Sequence, residues 1–121
     1  MAEYLPIYKP GQAITLKASA SITGRQVVAV SGSGTVAPAG SASTAFVGVA
    51  AFDASTNDNV TIFAGGVQEV TASGAITAGS PVICGASGTV AASATPPAGQ
   101  QVGVALTTAA DGATVRVQFG R

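Results

Sequence analysis

ASASITGRQVVAVSGSGTVA, residues 18–37, lies without gaps on ASGAITAGSPVICGASGTVA, residues 72–91, with half of the positions identical. Past one extra residue in the second copy, Val47-Gly48-Val49-Ala50 falls on Val102-Gly103-Val104-Ala105, and Val60-Thr61-Ile62 falls on Val115-Arg116-Val117. Self-similarity held in order over this length means that one structural unit occurs twice, here across residues 18–66 and 72–121. Each copy consists of short Val- and Thr-rich runs separated by Gly, Ser, Asn and Asp, the pattern of strands and turns, and no stretch carries a sustained helical stripe. In the second copy, runs at 102–106 and 114–119 flank Ala109-Ala110-Asp111-Gly112, where Asp-Gly supplies the positive backbone angles of a tight hairpin. The first copy makes the equivalent turn through residues 54–59, and further hairpins turn at 31–34 and 85–88. The expected fold is all-β: a small barrel or sandwich of eight or more short strands, forming a single β domain over residues 18–121. With Ala and Gly at so many strand positions, its interior is expected to be thin and closely apposed.

The chain is 121 residues long, about one domain, and carries 5 Lys+Arg, 5 Asp+Glu and no His. Without histidine there is no Ser-His-Asp or Cys-His nucleophile, no imidazole base and no histidine metal site, so an enzyme is not expected. A net charge of zero leaves no basic patch to displace counterions from a phosphate backbone, which argues against nucleic acid as a partner. Charged residues make up 8%, against roughly 25% in ordinary soluble domains, so little repulsion opposes association with other chains. Cys84 is the single cysteine, which excludes an intrachain disulfide, and it aligns with Val30, where a small buried hydrophobe is expected. Asp53, Asn57, Asp58 and Asn59 lack the spacing of a calcium loop and read as turn residues. The Gly-rich runs at 31–34 and 64–66 lack the Lys-Ser/Thr of a phosphate loop, and Asp53 and Glu69 are scattered acids. No catalytic residue, metal or cofactor is expected. The start MAEYLP carries neither the basic region nor the apolar run of a secretory leader, which points to synthesis in the cytoplasm. Apolar runs such as 46–52 fall short of the ~20 residues of a membrane helix, so no membrane is expected.

Two surfaces stand out. Residues 1–17 match neither copy and read as an extended N-terminal arm: Pro6 and Pro10 hold the chain open, while Tyr4, Leu5, Ile7 and Tyr8 supply apolar area. Such a segment suits lying along another subunit, with a strap over its own body as the alternative. The second surface comes from using one copy to calibrate the other. Val115, Val117 and Phe119 share an inward face, with Arg116 and Gln118 outward; carried over, Val60 and Ile62 point in, and Thr61 and Phe63 point out. On the neighbouring strand, Val47, Val49 and Ala51, like Val102, Val104 and Leu106, are expected inward. Phe46 and Phe52 then occupy the outward positions of Gln101 and Thr107. Phe46, Phe52 and Phe63 thus form a candidate interface with another chain, unless they fill the core or the arm covers them.

The arm Pro6-x-Tyr8-x-Pro10-Gly11 with Ile14-Thr15 is followed by Ala18-x-x-x-Ile22-x-Gly24-x-x-Val27, Thr35-Val36-Ala37-Pro38-Ala39 and Val47-Gly48-Val49-Ala50-x-x-Asp53. Gly65-Gly66-Val67, Ala78-Gly79-x-Pro81-Val82 and Val102-Gly103-x-Ala105 complete the series. In order and spacing these stretches resemble the small head-decoration, or capsid cement, proteins of tailed bacteriophages. The resemblance implies a non-catalytic virion protein, a β-barrel on the outer capsid surface made in the host cytoplasm. It implies the major capsid protein as partner and a homotrimer at threefold or quasi-threefold positions. The alternatives are a carbohydrate-binding β domain, for which aromatic platforms are few and Trp is absent, and a tail- or fibre-associated component.

Overall fold

The computed structural model describes residues 4–120; the first three residues of the expected arm and the last residue of the second repeat lie outside them. Ten strands follow one another: β1 (Ile14–Ala18), β2 (Val27–Gly32), β3 (Thr35–Pro38), β4 (Phe46–Ala50), β5 (Asn59–Phe63), β6 (Val67–Thr71), β7 (Pro81–Cys84), β8 (Val90–Ala92), β9 (Gln101–Ala105) and β10 (Thr114–Phe119). A 3-10 turn, Ala86–Gly88, separates β7 from β8. The strands β1-β3-β2-β4-β5 close into a barrel in which β1 runs antiparallel to β5 and parallel to β3. The second copy repeats this neighbour order as β6-β10-β9-β7-β8, and a parallel bridge from Ala72 to Val90 joins its two ends where β1 meets β3 in the first. Each sequence repeat therefore rolls up its own five strands.

The duplication extends to single backbone angles. Arg25 and Gly79, Gly34 and Gly88, and Asn57 and Gly112 are equivalent pairs, and all six have positive φ. Gly48 and Gly103 answer to a different demand: a Cβ at Gly48 would run into the Phe63 carbonyl oxygen, and one at Gly103 into that of Gln118. The glycine of each Val-Gly-Val-Ala run is thus the point where two strands approach too closely for a side chain.

Two expectations need correction. The arm is shorter than residues 1–17, because Ile14–Ala18 is β1, with Ile14 and Leu16 packed on the barrel core and Thr15 and Lys17 exposed. Its counterpart is β6, so the structural repeat begins before residue 18. The inward face read along 47–51 and 102–106 holds at Val47 and Val102 and fails beyond them. Val28 pairs with Gly48 but Ala29 with Phe46, skipping Val47; Val82 pairs with Gly103 but Ile83 with Gln101, skipping Val102. One unpaired residue in a strand reverses which side the residues beyond it face. Ala50 therefore enters the core of the first barrel, whereas Val104 and Leu106 are exposed.

The first barrel is filled by Ala18, Ile22, Val28, Val36, Ala50, Ala54, Val60 and Ile62. These are small or β-branched side chains, as a thin interior requires. The equivalent residues of the second barrel belong to a larger cluster, which also takes in Val27, Ala29, Ala39, Phe46 and Val49 from the first copy. The outer side of one barrel is thus the packing surface for the other.

Candidate interaction surface

The arm projects. Tyr4, Leu5, Pro6, Ile7, Tyr8 and Pro10 are all exposed, and beyond Tyr8 the chain makes a turn in which the Gln12 N–H donates to the Lys9 carbonyl at 3.0 Å. The Lys9 N–H in return donates to Gln12 Oε1 at 2.7 Å, and Gly11 takes φ +81°. Tyr8 leans back on β1, its hydroxyl oxygen accepting the Thr15 N–H at 3.3 Å. Residues 4–7 carry their apolar groups into open space, and prolines at 6 and 10 deny them the donors with which to fold on themselves.

The three phenylalanines part company. Phe63, on β5, is 45% exposed and lines a cleft of about 220 Å³ with Arg25, Val49, Ala51 and the second copy's Gln68 and Glu69. Phe52 is 48% exposed and follows β4, with its backbone close to Gly24. Phe46 is only 3% exposed and lies in the cluster shared by both barrels. Phe46 therefore leaves the candidate surface. It does face away from its own barrel, as the comparison with Gln101 implies, but in the first copy that side is covered by the second barrel.

A patch not read from the sequence lies on the outer side of the second barrel. Gln118 of β10 stands between Val67 of β6 and Val104 of β9. One row along, Arg116 sits opposite Glu69, and the Leu106 N–H donates to the Arg116 carbonyl at 2.7 Å. Val67, Val104 and Leu106 are exposed large hydrophobics, framed by an Arg116–Glu69 ion pair of 3.6 Å. Both charges are about half exposed, so this pair contributes little to stability, on the order of 0–1 kcal/mol. Alternation alone hides the patch, because the unpaired Val102 inverts β9.

Three aspartates hold turns together. Asp53 Oδ1 accepts the Gly24 N–H at 2.7 Å, Asp111 Oδ1 the Gly74 N–H at 2.7 Å, and Asp58 Oδ2 the Ser55 N–H at 3.1 Å. At the position equivalent to Asp53, the Thr108 hydroxyl accepts the Ala78 N–H at 3.1 Å. Cys84 is buried at the end of β7. Among the described residues no group of three or more His, Cys, Asp or Glu comes together. What this surface offers is apolar area with hydrogen-bonding edges, suited to binding macromolecules.

Comparison with known proteins agrees with that character. The phage cement protein family matches residues 8–119. A search of curated proteins finds no match. Among solved structures, the N base of the head fiber gp8.5 of bacteriophage phi29 superposes with a TM-score of 0.71 at 19% identity, over 89% of this chain and 92% of that one. At that identity the superposition speaks for the fold.

Proposed function

The chain belongs to the phage cement protein family, which makes it a phage virion structural protein, and from that premise we propose that it binds the outside of the assembled head and stabilises it without catalysis. The observation that carries this reading is the family match across residues 8–119, nearly the whole chain. The partner is the major capsid protein, and the bound form is a homotrimer at threefold or quasi-threefold positions.

Stabilisation here is mass action: a protein that binds only the assembled shell shifts the equilibrium toward it, and contacts spread over several capsid subunits add through multivalency. The arm, with Tyr4, Leu5, Pro6, Ile7, Tyr8 and Pro10, lies along a capsid subunit. Its proline-extended backbone has less conformational freedom to lose on docking, which favours binding. Phe52 and Phe63 supply the body's own apolar contacts, at about half exposure each. Because these groups are uncharged, salt screening removes little of the attraction. A tail or fibre location is the competing reading; the likeness to a protein named as a head fiber favours the head.

The test mixes the full chain with emptied, expanded heads and follows co-sedimentation and the melting of the shell. Binding that raises the shell's melting temperature, persists in molar salt and weakens at least tenfold when residues 1–11 are removed is the expected result. Failure to bind heads, or attachment to tails alone, overturns the reading.

A further inference from the structure

We propose that the outer face of the second barrel receives the open end of the first barrel of another copy of this chain, repeating between molecules the joint that holds the two barrels together within one. Within the chain the first barrel provides a socket, the outer positions Val27, Ala29, Phe46 and Val49, all buried. The second barrel provides a plug, the end of β7 at Cys84 with the turn that follows. Backbone hydrogen bonds lock the joint: the Gly88 N–H donates to the Ala39 carbonyl at 2.8 Å, and the Ala42 N–H to the Cys84 carbonyl at 2.9 Å. The Gln26 side-chain amide adds a third bond, to the Ser87 carbonyl at 3.0 Å.

Because the barrels are copies, each half of the joint has a twin, and both twins lie open. The socket positions recur in the second barrel as Pro81, Ile83, Gln101 and Val104, none of them buried. The plug recurs in the first barrel as Val30 and the hairpin 31–34: Val30 is 51% exposed where Cys84 is 1%. The two turns agree at their glycines, with φ +73° at Gly34 and +76° at Gly88, and differ one residue earlier, where Ser87 has φ +56° and the equivalent Ser33 has no positive φ. None of the residues in either open half is charged, so bringing them together desolvates no ion. The first socket thus packs in one cluster with Cys84, and a second molecule carries the equivalent residue, Val30, exposed at the start of the equivalent turn. The open plug and open socket sit on different barrels, so the contact is head-to-tail and either closes into a ring or extends. A closed ring holds twice as many barrels as chains, which makes six in the trimer proposed above.

This inference rests on the self-association in that reading, yet its test uses free protein without heads, so either can fail alone. Val30→Asp spoils the plug and Gln101→Asp spoils the socket. By light scattering, the wild-type chain is expected to be an oligomer and each variant alone a single chain. An equimolar mixture, where one intact plug meets one intact socket, gives twice the mass of one chain and nothing larger. A symmetric interface predicts no such rescue. If circular dichroism shows Val30→Asp unfolded, Ser33→Arg at the exposed hairpin tip takes its place. Wild-type protein that stays a single chain to submillimolar concentration, variants that keep the wild-type mass, or a mixture that remains monomeric each overturn the proposal.

Discussion

Replacing Phe46 by Gln installs the residue that the second copy carries at the equivalent position, and the cost of doing so measures how firmly the second barrel covers the first. Phe46 is 3% exposed within the cluster that spans both barrels. Truncating a buried Phe costs about 3–5 kcal/mol, and a carboxamide left without partners in the same site adds about 1–3, partly offset by the volume that Gln retains. The expected loss is about 4 kcal/mol, a large share of the ~5–15 that holds a domain of this size. The same substitution at Phe63 is the internal control. Its ring is already 45% exposed, so about half of the ~1.5–3 kcal/mol of full burial is at stake, roughly 1 kcal/mol. Urea denaturation followed by far-ultraviolet circular dichroism reads both, with the slope unchanged if only stability has moved. A Phe46→Gln midpoint no lower than that of Phe63→Gln would refute the packing of one barrel on the other. It would also remove the template for the joint between molecules.

Two further substitutions test the backbone. Gly48→Ala drives a Cβ against the Phe63 carbonyl oxygen and should destabilise by about 1–3 kcal/mol, read as a lower melting temperature; a neutral result would mean that β4 and β5 are not so closely apposed. Arg25 holds φ +74° where its twin is Gly79, so Arg25→Gly should relieve strain and raise stability by up to about 1 kcal/mol after the entropy of a freer unfolded chain is counted; a loss on thermal melting would show that the Arg25 side chain contributes more than its backbone costs.

Much of the fold was legible because the chain states it twice. Strand β10 alternates exposed and buried without a break, and β5 follows it, so Val60 and Ile62 point inward and Phe63 outward as the comparison of copies expects. Legibility ends where alternation is interrupted. Val47 and Val102 each drop out of the ladder, and nothing in their chemistry distinguishes a skipped valine from a paired one, so alternation gives the faces of β4 and β9 in the wrong sense beyond them. Strand β1 was hidden for another reason. Of its residues only Ala18 is fully buried, with Ile14 and Leu16 half-buried against the core, and a five-residue run next to a proline-rich arm reads as more arm until its partner β5 is known. The burial of Phe46 needed tertiary information of a third kind, namely which of two equivalent faces the other barrel covers.

That asymmetry gives the differences between the copies a physical meaning. The joint inside the chain forms once, on folding, and its socket is lined by Val27, Ala29, Phe46 and Val49, apolar groups that would be a liability if left in water. The twin socket must stay in solution until assembly, and it replaces the large ring by Gln101 and the first valine by Pro81, which has no N–H to offer a stray strand. Val104 remains, 37% exposed, enough apolar area to favour docking but little enough to tolerate waiting. Replacing Gln101 by Phe should therefore tighten the joint between molecules and, at the same time, drive free protein out of solution. Tighter association without loss of solubility would show that the polar residue does not serve the unassembled chain, and weaker association would place the socket elsewhere.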